Sequence, residues 1–288
     1  VIVAVTSWRG VGTTTTALLL ALAAAARGGA PWLLEADPAG GVLAGRIPLP
    51  STLVGGLERR AFPGSDRVSL ADVAAEWHGV RLVSAPADPF RAHACHHPAS
   101  PWIDEVRSLG DGAPVVIDVG RMRAGSPAAP LLDLADVVLL VTSPEVSAAV
   151  GASEWLAAAG RISAVDTVTT GTDLRVVVVD SPGGRAFGRS LLAAEMGDRL
   201  IGWLPWDAAF VESVHRSGRP AIRRRKAALA NGVDSLLDAI ESVCGREDDS
   251  AAATAHTATI AAAPAETPLL IPPSATPQGD SDSARSDS

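Results

Sequence analysis

Short, nearly unbroken apolar runs alternate with longer helical patterns along most of the chain. Seven runs predict strands: residues 1–5, 31–35, 80–84, 114–118, 137–141, 174–179 and 200–204. Several of them, VVLLV at 137–141 among them, are continuously apolar rather than alternating, which is the pattern of strands covered on both faces. Residues 14–26, 144–159 and 186–195 read as helices between them. That rhythm predicts an α/β fold, a doubly wound and mostly parallel sheet. No internal repeat interrupts it, so one domain over residues 1–246 is the simplest division. From residue 247 to 288 the pattern stops. That stretch is rich in Ala, Thr, Pro, Ser and Asp, and its only large apolar residues are Ile260, Leu269, Leu270 and Ile271. It buries too little to offset ordering entropy and is predicted to be a disordered tail.

Polar residues gather where the predicted strands end. After the first strand comes SWRGVGTTT, residues 7–15, followed directly by the predicted helix. Gly10 and Gly12 let backbone amides turn toward a ligand, and the helix presents its positive end there, so the turn can hold phosphate. Thr14 stands where a hydroxyl can join a Mg²⁺ shell, since a phosphate-binding loop has Ser or Thr right after its lysine position. That lysine position is Thr13. A glycine turn of this kind also serves tight packing alone in many doubly wound proteins. The second strand ends in LLEADPAGG, with Glu35 and Asp37 at the end that faces the ligand crevice of an open α/β sheet. Asp37 can hold a Mg²⁺-bound or attacking water, and an Asp-Pro surface turn is the plainer reading. PVVIDVG, residues 114–120, ends in Asp118, a usual partner of Mg²⁺. Each signal alone is modest; three in this chain order make a much stronger case.

Composition narrows the picture. The chain is 47% apolar but only 4% aromatic, which suits close packing of helices on a sheet. Its basic residues are almost all arginine, and Lys226 is the single lysine, so no other lysine of this chain can enter the loop at residues 7–15. Seven acidic residues lie from Glu247 onward against Arg285 alone, so −6 of the net charge of −8 belongs to the tail. This is not the balance of a dedicated DNA-binding domain. Two distant cysteines, Cys95 and Cys244, make no disulfide framework or paired-cysteine zinc spacing. With VIVAV at its start, no charged leader, and a longest apolar stretch too short to span a bilayer, the chain is expected to be soluble and cytoplasmic.

The loop, EADPAGG, VVIDVG, ADVVLLVTSPE at 135–145 and IGWLPWD at 201–207, in that order, resemble the ParA/MinD group of P-loop ATPases over roughly residues 1–243. Within it the chain looks most like actinobacterial MinD-like proteins, some of which accompany Tad/Flp-type pilus assembly as TadZ- and CpaE-like ATPases do. The family's loop reads K-G-G-V-G-K and then two Thr or Ser. Its first lysine falls on Trp8, its first glycine on Arg9 and its second lysine on Thr13, while Gly10, Val11, Gly12, Thr14 and Thr15 match. In the family the first lysine reaches a partner's phosphates across an ATP-sandwiched dimer, and the second binds β- and γ-phosphates in its own subunit. The resemblance implies ATP and Mg²⁺ as ligands, Thr14 as Mg²⁺ ligand, Asp37 as switch aspartate and Asp118 as the Walker B residue. It places Asp180, Pro205 and Asp207 beside the adenine base.

Phosphoryl transfer depends on positive charge set against developing negative charge. Removing one such donor costs about 2.7–4 kcal/mol, roughly 10²–10³ in rate, so a chain without both lysines should hydrolyse very slowly. Binding is a separate matter, because amides, the helix end and Mg²⁺ remain, and the degenerate site is expected to bind nucleotide weakly or not at all. Arg9 is the local cation that can substitute. The implied role is spatial positioning or assembly through protein partners, with a possible homodimer; a working ATPase using Arg9 or a partner residue, and a nucleotide-free scaffold, are the alternatives. The run RPAIRRRKAAL at 219–229 opens a predicted last helix, 221–243. In DNA-partitioning relatives basic residues here grip DNA, which would fall on Arg223, Arg224, Arg225 and Lys226; a solvated helix face is the plainer reading. His93, Cys95, His96 and His97 are metal-ligand types without a second cluster at zinc spacing. MinD-type membrane attachment needs a basic amphipathic C-terminal helix, and the tail here is acidic and interrupted by prolines.

Overall fold

The computed structural model describes residues 1–62, 68–97, 100–163, 173–182, 186–218 and 227–261. Its strands are β1 (Ile2–Ser7), β2 (Trp32–Glu35), β3 (Ala75–Trp77), β4 (Val80–Val83), β5 (Val115–Arg121), β6 (Val137–Thr142), β7 (Asp173–Val179) and β8 (Leu200–Leu204). They form one sheet in the order β3-β4-β2-β5-β1-β6-β7-β8. All pairs are parallel except β3 with β4. The helices are α1 (Thr13–Ala26), α2 (Leu43–Arg46), α3 (Gly56–Ala61), α4 (Leu70–Val73), α5 (Pro89–Ala94), α6 (Trp102–Gly110), α7 (Val146–Ser163), α8 (Arg189–Met196), α9 (Ala208–Ser217) and α10 (Ala228–Ala261).

The strands predicted from apolar runs all appear. Every residue of β1 and β6 is buried. Val3, Val5, Leu33 and Leu139 face one layer with Leu18 of α1, Phe210 of α9 and Leu236 of α10. Ile2, Ala4, Leu34 and Ile117 face the other with Leu57 of α3, and Trp102 and Val106 of α6. Side chains as fully buried as Leu18 and Trp102 each contribute about 1.5–3 kcal/mol or more. The antiparallel edge strand β3 has no counterpart among the predicted strands. It is three residues long and reaches β4 through His78 (φ 50°) and Gly79 (φ 82°), a two-residue turn with both φ positive.

The chain divides into Val1–Glu247 and Asp248–Ser288. Of the second part, the described residues, 248–261, are assigned to α10. Residues 219–226, including Arg223, Arg224, Arg225 and Lys226, lie outside the described residues, and so does the predicted start of the last helix at 221. Among the described residues no helix is long and apolar enough to cross a membrane.

β1 sits between β5 and β6, where the strand order changes direction, and the loop after it opens into the crevice such a switch creates. The β1–β5 register slips at one point: Val5 pairs with Asp118 but Thr6 with Gly120, leaving Val119 unmatched. The Thr6 hydroxyl donates to the Gly120 carbonyl (3.0 Å) and fixes the bulge. Bulges of this kind re-aim side chains beside functional sites. Here it sets the direction of Asp118, Gly120 and Arg121.

Candidate functional site

Gly12 is the N-cap of α1 in the left-handed region (φ 98°), where a side chain would be strained, and no side chain caps the helix. The amides of its first turn are therefore not taken by a side-chain cap, the arrangement that favours an anion. The root of the loop is closed by Ser7. Its Oγ accepts from the Gly10 N–H (2.9 Å) and from the Thr13 hydroxyl (2.7 Å). Thr13, at the lysine position, is buried and turned inward. Thr15, Val11 and Gly12 border the cavity described below.

Trp8 and Arg9 have different fates. A Cβ placed on Gly151 of α7 would fall 2.4 Å from Trp8 Cδ1, so the indole lies directly on that glycine. The position from which the family's first lysine leaves its subunit is thus packed on its own chain. Arg9 is exposed and makes no hydrogen bond or ion pair among the described residues.

Three carboxylates meet below the loop. Glu35 is structural: its Oε1 accepts from the amides of Val42 (2.6 Å) and Leu43 (2.8 Å), and its Oε2 from Ala85 (3.1 Å). Burial raises its pKa against those three hydrogen bonds. Asp37 accepts from the Ala39 N–H (2.8 Å) and packs on Gly120, where a Cβ would fall 2.0 Å from Asp37 Cγ. With φ 68° besides, position 120 has room for glycine alone. Burial raises the Asp37 pKa, with Arg121 attracting the carboxylate in the opposite sense. Asp118 is fully buried; its Oδ1 accepts from the Gly120 N–H (3.1 Å) and its Oδ2 has no partner. Burial pushes its carboxyl up to about 7, Glu35 and Asp37 add to that, and the Thr14 hydroxyl and the Gly120 amide pull it back. A buried carboxylate oxygen without a partner, beside a threonine hydroxyl, fits a hard cation such as Mg²⁺, which takes few protein ligands and completes its shell from water and phosphate. Among the described residues no group of three or more His, Cys, Asp or Glu is arranged around a metal position.

On the other side of the loop lies a cavity of about 480 Å³, bounded by α1, the ends of β7 and β8, and α9. Asp180, Pro205 and Asp207 all line it, as do Val179, Leu204 and Val211. Asp180 is buried, while Asp207 caps α9 by accepting from the Phe210 N–H (2.8 Å). Two lining groups that sequence reasoning did not single out are buried and unpartnered: Ser143 Oγ and His215 Nε2. Burial lowers the His215 pKa, with Arg46 repelling the proton further, so the ring is held neutral. A mostly apolar slot with a few unpaired polar atoms suits a flat heterocycle.

The His93–His97 segment does not converge. Cys95 and His96 are buried, His93 and His97 exposed. The Cys95 thiol donates to the Arg91 carbonyl (3.2 Å) and burial pushes it up to about 12, far from a ligating thiolate. His96 stacks edge-on against Trp102 with ring centroids 5.7 Å apart.

Arg121 is a third residue of the site that sequence reasoning missed. It ends β5 three residues after Asp118, and its guanidinium lies on Gly10: a Cβ there would meet Nε at 3.1 Å. The available signal was a cation just beyond the strand-end aspartate and its glycine.

No protein-family model and no curated protein matches the chain. Solved structures do. The septum site-determining protein MinD of Pyrococcus horikoshii, complexed with Mg-ADP, is 18% identical, with 85% of this chain and 96% of that one covered and a TM-score of 0.62. The MinC:MinD cell division complex of Aquifex aeolicus matches at 18% identity, 84% and 95% coverage and a TM-score of 0.57. A ParA family ATPase from Chlorobium tepidum matches at 14% identity, 82% and 96% coverage and a TM-score of 0.65. The chain has the fold of the MinD and ParA ATPases over nearly the full length of those proteins.

Proposed function

We propose that this protein is a positioning or assembly factor of the MinD/ParA kind, whose site binds ATP with Mg²⁺ but turns it over slowly or not at all. The observation that carries the reading is the unpartnered Asp118 Oδ2 beside Thr14, between an uncapped helix N-terminus and an apolar cavity. The P. horikoshii MinD structure holds Mg-ADP, and the A. aeolicus structure pairs MinD with a protein partner, MinC. Those two features support a nucleotide and a protein partner for this chain as well.

In this reading the first-turn amides of α1 hold phosphate, and the cavity beside Asp180, Pro205 and Asp207 takes the base. Thr14 and Asp118 would hold Mg²⁺, with Asp37 placed to orient a water through its free carboxylate oxygen. Bound Mg²⁺ would neutralise phosphate charge. Positions 8 and 13 lack the two lysines that the resemblance sets against the charge developing during transfer, and each missing donor costs about 2.7–4 kcal/mol. Turnover is therefore slow, and the nucleotide serves to set a conformation for partners. A second copy of this chain is one such partner; the settings we propose are septum or chromosome placement and Tad/Flp-type pilus assembly. Nonspecific DNA contact through Arg223, Arg224, Arg225 and Lys226 is the weaker proposal, given the acidic net charge.

Titrating the full chain with a fluorescent ATP analogue and Mg²⁺, alongside phosphate release, tests this. Saturable binding with release near background supports it. Steady turnover abolished by Arg9→Ala would replace it with a working ATPase, and no binding at millimolar ATP with a scaffold.

A further inference from the structure

We infer that Arg121 is the phosphate-binding cation of this site, delivered by β5 instead of by the loop. The inference rests on the nucleotide reading above and goes beyond it by naming the group that meets the terminal phosphates.

The placement is set by the sheet. In the β1–β5 register Arg121 stands opposite Ser7, and the neighbouring Met122 N–H donates to the Ser7 carbonyl (3.0 Å). Ser7 is the same residue whose hydroxyl anchors Gly10 and Thr13, so the guanidinium and the loop are tied to one point. Arg121 Nε and Nη2 would lie 3.1 and 3.4 Å from a Cβ on Gly10, which puts the charged plane against the loop backbone. Gly120, immediately before it, carries Asp37 on its face. The cation therefore lies between the loop and the carboxylate pocket, where terminal phosphates and Mg²⁺ would meet.

Chemistry supports the same assignment. The corner holds Glu35, Asp37 and Asp118, and a triphosphate brought there adds more negative charge. Trp8 is uncharged and packed on α7, and the cation that acts on Asp37 is Arg121 rather than Arg9. Arg121 is exposed, and among the described residues it forms no hydrogen bond or ion pair within bonding distance. Its attraction to Asp37 holds it nearby without consuming its donors. A guanidinium keeps its charge at any ordinary pH and offers a fork of N–H donors that matches phosphate oxygens. Because β5 pairs with both β1 and β2, the backbone from which this cation projects is fixed by the sheet.

The test compares ATP, ADP and AMP binding, each with Mg²⁺, for the full chain and for Arg121→Ala, Arg121→Lys, Arg9→Ala and Arg123→Ala. A charge-assisted contact to phosphate predicts that Arg121→Ala weakens ATP about tenfold to a hundredfold and leaves AMP nearly unchanged. Arg121→Lys should recover part of the loss, and the exposed Arg123→Ala should bind as the parent does. Thermal unfolding of Arg121→Ala should match the parent, since the side chain is exposed. Equal binding of ATP by Arg121→Ala and the parent would overturn the assignment while leaving the nucleotide site intact. Equal loss of AMP and ATP would also overturn it, since that would mean a structural role. An ATP loss found with Arg9→Ala instead would move the cation to the loop. Failure of the parent to bind any of the three nucleotides would overturn the assignment and the nucleotide reading together.

Discussion

The two ends of the crevice are built differently. At the base end, the cavity is open, mostly apolar and bordered by two buried polar atoms without partners, Ser143 Oγ and His215 Nε2. At the phosphate end, nearly every group is already engaged. Ser7 holds Gly10 and Thr13, Glu35 holds three amides, Asp37 rests on Gly120 and Trp8 lies on Gly151. Among the described residues, Asp118 Oδ2, Thr14, the second Asp37 oxygen, the helix end and Arg121 remain to meet a ligand. Affinity in such a site should come from the base, and discrimination among phosphates from very few groups. An ordinary P-loop spreads that work over its lysines as well.

Filling the base end is expected to have the largest effect. Val211→Trp places an indole in the cavity and should weaken adenosine, AMP and ATP alike by about 3 kcal/mol or more, over a hundredfold. Equilibrium titration of the three ligands checks this, and a loss confined to ATP would reverse the contrast between the two ends. The next largest effect is a gain. Thr13→Lys restores a cation at the head of α1 and should strengthen ATP by about 1.5–3 kcal/mol while leaving AMP alone. The substitution also gives up the hydroxyl bond to Ser7, so unchanged ATP affinity would show that the inward fold of the loop closes it to a lysine.

The smallest effect concerns stability behind the carboxylate end, where His96 is buried with both ring nitrogens unpartnered. Burial, and then repulsion from His93, lowers its pKa from 6.5 to about 4. The folded pKa lies below the unfolded one, so this stability is complete above pH 6.5 and is lost as pH falls through 4. The loss between pH 7 and pH 5 is about 2 kcal/mol. His96→Phe should flatten that part of the pH dependence in denaturant unfolding; an unchanged slope would assign it to other groups.

Much of the frame was legible in the sequence, for identifiable reasons. β1 and β6 are wholly buried and begin as apolar runs, with polar residues only at their ends, so their limits are visible within a residue or two. The strand-end acids were legible because polar residues at the end of an apolar run are conspicuous. β3 was not, since three residues and a His-Gly turn carry almost no periodic signal. Glu35 and Asp37 look alike in the sequence, yet one is consumed by backbone amides and the other faces the crevice. Which is which depends on the fold of residues 36–43. Arg121 was hidden for a related reason: its place follows from a register slip at Val119, and no single-sequence pattern records a slip. Ser143 and His215 meet the same cavity from distant parts of the chain, which only the tertiary structure brings together.

The most direct measurement is calorimetric titration of the full chain with ATP and Mg²⁺, with phosphate release followed in the same samples. Saturable binding that depends on Mg²⁺, with release near background, is the predicted result. Heats that stay at dilution level up to millimolar ATP, or steady multiple turnover, would contradict it.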